Sequence, residues 1–164
     1  MLLGGTVSGA YQNSEEWEQL LIASRFKAVT APFSCHTPKN EIRSYCDAAR
    51  RQGAVIAEAG VWKNLMDPDP ARAAENLRYA KDQLAMADEW DIPCCVNIAG
   101  TAGSAGWDAA DKSNYTPETY DRIIRIIRPV GCFEQIRSVR IDLPGTLLPV
   151  SRSDQSPVAF RGFQ

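Results

Sequence analysis

The chain has 164 residues, 45% of them hydrophobic and 23% charged, which suffices for one ordinary core and argues for one soluble globular domain. A formal net charge of -2 and a sequence pI near 5.4 give no general electrostatic reason to bind nucleic acid or an anionic membrane, so small-molecule partners are favoured. No stretch approaches the roughly 20 apolar residues of a membrane span, and the start at Met1 lacks the basic and apolar regions of a signal peptide, so no membrane and a cytoplasmic location are expected.

Leu2 to Ser8 is short, apolar and glycine-containing, the pattern of a first strand. Ser14-Glu15-Glu16 then offers a capping serine with acids in the first helical turn, and Trp17, Leu20, Leu21 and Ser24 recur at helical spacing. Phe26 to Ala31 reads as strand two. Past Pro32 and Pro38, a helix with Ile42, Tyr45, Cys46 and Ala49 on one face is well placed to end at Gly53. Ala54 to Glu58 reads as strand three. Asp69-Pro70 is a good cap and first-turn pair for a helix bearing Leu77, Ala80, Leu84 and Ala87. Cys94 to Ile98 follows as strand four. A glycine-rich loop from Ala99 to Ser113 leads to Thr116-Pro117-Glu118, which opens a helix with Tyr120, Ile123, Ile124 and Ile127.

Four βα units are thus visible by Arg128, and strands alternating with helices imply parallel pairing with right-handed crossovers. Periodicity permits either a barrel or an open doubly wound sheet. After Arg128 the prolines and glycines at 129, 131, 144, 145, 149 and 157 interrupt every run. Residues 1–128 are therefore expected to be structured and 129–164 to form a divergent, poorly ordered tail, with a fifth strand at Ser138 to Leu143 as the alternative.

Glu58-Ala59-Gly60-Val61-Trp62-Lys63-Asn64 lies at the C-terminal end of strand three, where parallel α/β folds place ligand-binding groups. A carboxylate, an indole and an amide there suit a sugar pocket; equally, Trp62 could cap a core and Glu58 pair with an arginine. Asn97 and Gly100 end strand four in the same way, and Thr101, Gly103, Ser104, Gly106, Trp107 and Asp108 offer a polar loop suited to hydroxyl-rich ligands or to a mobile connection. Its spacing matches no phosphate-binding or dinucleotide pattern. His36, the single histidine, follows strand two on the same presumed face and cannot build a histidine-rich metal site. Cys35 beside it reads better as a loop residue than as a nucleophile partner. Five cysteines without a CxxC pair fit neither a disulfide framework nor a zinc ribbon and are expected to be reduced packing thiols.

Glu58 to Asn64, the Asp69-Pro70-Ala71-Arg72 helix start, Leu84 to Asp88 before Cys94 to Gly100, and Asn114 to Glu118 together resemble the sugar phosphate isomerase/epimerase family of xylose isomerase-like TIM barrels, over about Leu3 to Arg128. The resemblance implies an α/β fold, a partial (β/α)8 TIM barrel of about four βα units with an irregular C-terminal tail. It implies a sugar or sugar phosphate ligand, for which Glu58, Trp62, Asn64, Asn97 and His36 are the candidate contacts. Family members interconvert aldoses and ketoses, or epimerise ketoses, with a divalent metal such as manganese and glutamates that move a proton.

The family's metal-binding and catalytic residues come mainly from strands five to eight, which are not recognisable here. The metal is therefore expected for the complete barrel, with no cofactor held by these residues alone, and the reaction is not expected to be completed by them. Four units leave open strand edges, so self-association or pairing with another chain is the alternative function. An endonuclease-like phosphodiesterase on the same architecture would want metal-binding histidines and a basic face, and fits less well. The loss of pattern after Arg128 also fits a frameshifted reading of the family's fifth and sixth units.

Overall fold

The computed structural model describes residues 2–104, 111–131, 138–143 and 146–151. Strands β1 (Gly4–Gly5), β2 (Ala28–Thr30), β3 (Val55–Val61) and β4 (Cys95–Asn97) form one sheet. Every neighbouring pair is parallel, and the spatial order β1-β2-β3-β4 is the order in the chain. A doubly wound sheet reverses its strand order at a switch point; these strands advance one place at a time in a single direction, as in a barrel. The choice that periodicity left open is thereby made: the fold is α/β and matches a partial TIM barrel.

Helices α1 (Ser14–Ser24), α2 (Lys39–Arg51) and α3 (Pro70–Glu89) make the crossovers, and a 3-10 turn at Lys112–Tyr115 leads from the β4 loop into α4 (Pro117–Gly131). Right-handed crossovers that all advance in one direction put these helices on one face of the sheet. Their apolar stripes fill the layer between. Trp17 and Leu21 of α1, Ile42, Tyr45, Ala48 and Ala49 of α2, and Met86 and Ala87 of α3 are buried with Val29 and Ala59 of the strands. Tyr45 anchors this layer, its ring meeting Trp17 edge-on at 5.6 Å and Tyr11 at 6.3 Å, contacts worth about 0.5–1.5 kcal/mol each beyond their buried area.

The helix ends follow local chemistry. Asp69 Oδ1 accepts from the backbone N–H of Ala71 at 2.9 Å, and Pro70 occupies the first turn, as expected. At α1 the cap is Asn13 rather than Ser14: Asn13 Oδ1 accepts from the Glu16 N–H at 2.9 Å while the Glu16 carboxylate accepts from the Gln12 N–H at 2.8 Å. This reciprocal pair satisfies more backbone donors than a serine one residue later could. Helix α2 stops as the sequence predicts, with Ala54 N–H bonded to Ala49 C=O at 2.9 Å around a left-handed Gly53.

Three differences stand out. Strand β3 continues to Val61, past the expected end at Glu58, because Ala59, Gly60 and Val61 pair with β4. Tyr120, placed by spacing on the buried stripe of α4, is 54% exposed, since only the later turns of that helix reach α3 and the sheet. Ser138–Leu143 does form a strand, β5, which lies against β4 but makes its ladder antiparallel with β6 (Thr146–Ser151), in a separate two-stranded sheet. A two-residue connection permits only antiparallel pairing. The remainder of the expected tail, 132–137, 144–145 and 152–164, lies outside the described residues. No helix among the described residues is long and apolar enough to cross a membrane.

Helices α1 and α2 are also tied by charge. Arg51 Nε donates to Glu18 Oε1 at 3.1 Å, Gln52 Nε2 donates to the same oxygen at 2.7 Å, and Arg51 Nη2 reaches Oε2. The hydrogen bonds from Arg51 and Gln52 hold the Glu18 carboxyl below the usual glutamate range. A lowered folded value means that the carboxylate stabilises the fold above the ordinary range and loses that contribution as pH falls through the lowered value. Glu18→Gln is expected to lower unfolding stability by about 1–3 kcal/mol at pH 7. Denaturant titrations of both proteins should show the difference shrinking as the medium is acidified below that range; a pH-independent difference would contradict this role for the ion pair.

Candidate functional site

Because the helices cover one face, the opposite face of the sheet is left to ligands. Val29 is buried in the helix layer, so the next residue, Thr30, turns to the open face; Val7 is likewise buried and Thr6 precedes it. The two threonine hydroxyls meet at 3.2 Å and share a hydrogen bond. Register then shifts: Val29 pairs with Ile56, yet Thr30 pairs with Glu58. Ile56 and Ala59 both pack on the helix-side core although they are three residues apart, which strict alternation forbids. The bulge between them reverses the alternation and turns Glu58 to the open face beside Thr30, the re-aiming that bulges commonly perform near binding sites.

Glu58, Gly60 and Trp62 then share that face. A Cβ on Gly60 would lie 2.3 Å from Trp62 Nε1 and 2.8 Å from Cε2, so the indole lies directly over the glycine and needs the missing side chain. Trp62 remains 56% exposed in that position. Glu58 is half-buried; its backbone C=O accepts from the Ala31 N–H at 2.7 Å, while its carboxylate makes no hydrogen bond or ion pair among the described residues. Thr6, just past β1, Thr30, the last residue of β2, and Glu58, midway along β3, thus form a row across one face of the sheet, with the Trp62 indole farther along β3.

Asn64 is placed differently. It is 7% exposed, and its amide joins the β3 and β4 loops: Oδ1 accepts from the N–H of Thr101 at 2.9 Å and of Met66 at 3.1 Å, and Nδ2 donates to Thr101 C=O at 3.0 Å. Gly100 has φ +84, and a Cβ there would sit 1.9 Å from Asn64 Oδ1, so a side chain is excluded both by conformation and by space. The Asn114 amide meets Thr101 Oγ1 at 3.0 Å, Asn76 Nδ2 donates to Asn64 C=O at 2.9 Å, and Arg122 reaches Met66 C=O at 3.3 Å. Asn97 is the register partner of Val61, which packs against α3 and α4, and so it sits on the helix side of the sheet rather than with Glu58 and Trp62. Its Oδ1 is buried without a partner among the described residues.

His36 lies in the loop after β2, exposed, its ring 5.4 Å from that of Tyr79 on α3. Lys63 Nζ sits 5.5 Å from the centroid of the same ring. Burial pushes the Tyr79 phenol up. Burial, with Asp82 nearby, also pushes the Cys35 thiol up, so beside His36 it is a neutral thiol and not an activated nucleophile at pH 7. Cys95 is pushed up to about 12, first by burial and then by Cys94 and Glu58, as suits a packing residue. Cys35, Cys46, Cys94 and Cys95 are free thiols.

The structure therefore sets Glu58 and Trp62 on one face of β3, His36 in the loop after β2, and Asn64 inside the protein. Thr6 and Thr30 lie on the same face as Glu58, and Tyr79 packs on the helix side against His36 and Lys63; none of the three was singled out by motif. Alternation beside the apolar Val7 and Val29 is the signal that could have found the threonines. Gly106, Trp107 and Asp108 lie outside the described residues. Among the described residues no three His, Cys, Asp or Glu side chains converge to hold a metal ion, so no step is derived through a metal on them.

No family model and no curated relative matches the chain by sequence. Solved structures match its fold. A D-psicose 3-epimerase, determined in the presence of D-fructose, has a TM-score of 0.57 at 17% identity, over 80% of this chain and 47% of its own. A candidate xylose isomerase from Rhodospirillum rubrum has a TM-score of 0.55 at 14% identity, over 79% of this chain and 47% of its own. A xylose isomerase-like TIM barrel protein from Mycobacterium smegmatis, in complex with magnesium, has a TM-score of 0.55 at 12% identity, over 79% and 50%. The chain thus spans about half the length of these structures, and its described residues share the fold of a partial TIM barrel with them.

Proposed function

We propose that this chain supplies the substrate-cradling part of a sugar isomerase or epimerase barrel, acting in the cytoplasm on a sugar or sugar phosphate. The observation that carries the reading is Trp62 laid over Gly60 on the open sheet face, on the same face as Glu58. An exposed indole offers an apolar plate for the C–H face of a sugar, while a carboxylate free of protein partners accepts hydrogen bonds from its hydroxyls. Thr30 and Thr6 extend the acceptor and donor row along the ligand. The free thiols accord with a reducing compartment.

In this reading the sugar is oriented here, and the transfer of a proton between adjacent carbons is carried out by groups beyond the described residues, with a divalent metal such as manganese or magnesium bound there. Asn64 acts through position: it locks the loop after Trp62 to the loop after β4. A second reading, a half-barrel that pairs with another chain, is favoured by the open edge of β1, where Leu2 and Leu3 are 57% and 68% exposed. Light scattering over a range of concentrations tests the form of this reading in which the partner is a second copy of the chain, which a protein that stays monomeric excludes.

Saturation-transfer NMR with D-fructose, D-xylose and other small sugars should show contact with the chain. Trp62→Ala is expected to weaken that binding about tenfold. Gly60→Ala, which retains the indole but displaces it, should weaken it comparably. Absence of transfer from every sugar to the wild-type chain, or binding indifferent to both substitutions, would overturn the reading. Asn64→Ala should behave otherwise, lowering unfolding stability by about 2–4 kcal/mol in denaturant titrations because it strands buried backbone groups of Met66 and Thr101.

A further inference from the structure

The two sides of the four-stranded sheet end differently. Strand β5 lies against β4, and its outer partner β6 carries Pro149, which has no backbone N–H to offer a further strand. On the other side, β1 has β2 as its one neighbour among the described residues. Leu3 C=O accepts from the Lys27 N–H at 2.8 Å and the Ala28 N–H at 3.3 Å. Leu3 and Gly5 therefore turn their backbone groups to β2, while Gly4 and Thr6 turn theirs to the open edge. Natural edge strands ward off pairing with charges and prolines, yet residues 2–13 contain no Asp, Glu, Lys, Arg, His or Pro.

The side chains along this edge are also uneven. Val7 is buried in the helix layer, so alternation sets Leu3 and Gly5 on the helix side and Leu2, Gly4 and Thr6 on the open face. Leu3 is 68% exposed. A Cβ on Gly5 would lie 3.1 Å from Cε2 and Cζ of Phe26, so that half-buried ring fills the place where a side chain would stand. An exposed apolar residue and a bare apolar position thus sit two residues apart on one face of the edge.

We infer that β1 pairs antiparallel with β1 of a second copy of this chain, about a two-fold axis at Gly4, to make a continuous sheet of four strands from each copy. The inference rests on the second reading above and names its partner. With the axis at Gly4, the outward N–H and C=O of Gly4 in the two copies exchange both hydrogen bonds, Leu3 falls opposite Gly5 of the second copy, and Leu2 falls opposite Thr6. Leu3 then packs beside that glycine against the Phe26 ring, and symmetry makes the contact twice. A two-fold axis sets like charges near one another, a cost that the uncharged segment avoids; a chain of different sequence would impose no such requirement. Strands joined in one sheet keep their faces, so Glu58 and Trp62 of both copies stay uncovered on the same side.

Light scattering of the wild-type chain should rise with concentration from the mass of one chain to that of two and stop there. Leu3→Lys should weaken the dimer about tenfold, by lost apolar burial and a desolvated ammonium. The single chain leaves Leu3 exposed, and an unchanged circular dichroism spectrum checks that the variant folds. Tyr120→Lys, which alters an exposed aromatic residue on α4, should leave the dimer unchanged. In a dimer mixed from carbon-13-labelled and unlabelled copies, isotope-filtered nuclear Overhauser effects should join the Leu3 methyls of one copy to Gly5 and the Phe26 ring of the other. A dimer weakened by Leu3→Lys but joined in another register, or growth beyond two chains, refutes the two-fold arrangement and keeps the edge as a pairing surface. The mass of a single chain at every concentration refutes the second copy as partner and leaves the second reading to a different chain. A dimer equally stable in Leu3→Lys lies elsewhere and refutes both.

Discussion

Four strands that pair parallel in chain order, each joined to the next by a right-handed crossover, can cover only one of their faces with the connecting helices. That constraint governs the rest of the molecule. It sends the apolar stripes of α1, α2 and α3 to a common layer with Val29 and Ala59, and it leaves the other face and the C-terminal strand ends free for polar groups. The same constraint accounts for the open edge at β1, since an edge strand in a partial barrel has no neighbour within the sheet.

Within that frame, one irregularity decides which side chains meet a ligand. Strict alternation along β3 would send Glu58 to the same face as Ile56, into the helix layer, where an unpaired carboxylate is costly to bury. The bulge after Ile56 inverts the parity for the remainder of the strand. It directs Glu58 outward, buries Ala59 and Val61, and lets Trp62 fold back over Gly60. A regular strand of the same sequence would bury the acid and expose the small apolar residues. The packing of Ala59 at 0% and Val61 at 1% exposure therefore helps to hold the site in place.

Much of this was legible from residue order. Helix starts at Asp69-Pro70, the stop at Gly53, and the stripes of α2 and α3 follow from capping and periodicity, which are local properties. The placement of Trp62 just past the end of a strand was legible too, whereas Glu58 lies midway along β3 and not at its end. Their shared face was not, because a bulge is set by cross-strand pairing, a property of two strands at once. Asn97 illustrates the same gap: its position at the end of β4 was evident, but its side of the sheet depends on pairing with Val61. Asn64 looks in sequence like any polar residue after a strand, and only the approach of Gly100 and Thr101 from 36 and 37 positions further on shows that its amide is engaged internally. In the tail, the strand at Ser138 to Leu143 was legible as an alternative by its apolar alternation, whereas its antiparallel partner β6 was not, because Pro149 interrupts that run.

Alternation also divides the chemistry at the end of β3. Trp62 and Lys63 are neighbours in the chain, but one turns to the open face and the other to α3. The internal hydrogen bonds gather in the loops rather than at the indole: Gln83 holds the Cys35–His36 turn, and Asn64, Asn76 and Arg122 hold the segment from Asn64 to Asp67. Trp62 is placed instead by the missing side chain of Gly60, which lets the indole lie against the sheet while more than half of it stays exposed. Polar anchoring thus fixes the loops after β3 and β4, and close packing on a glycine fixes the aromatic face.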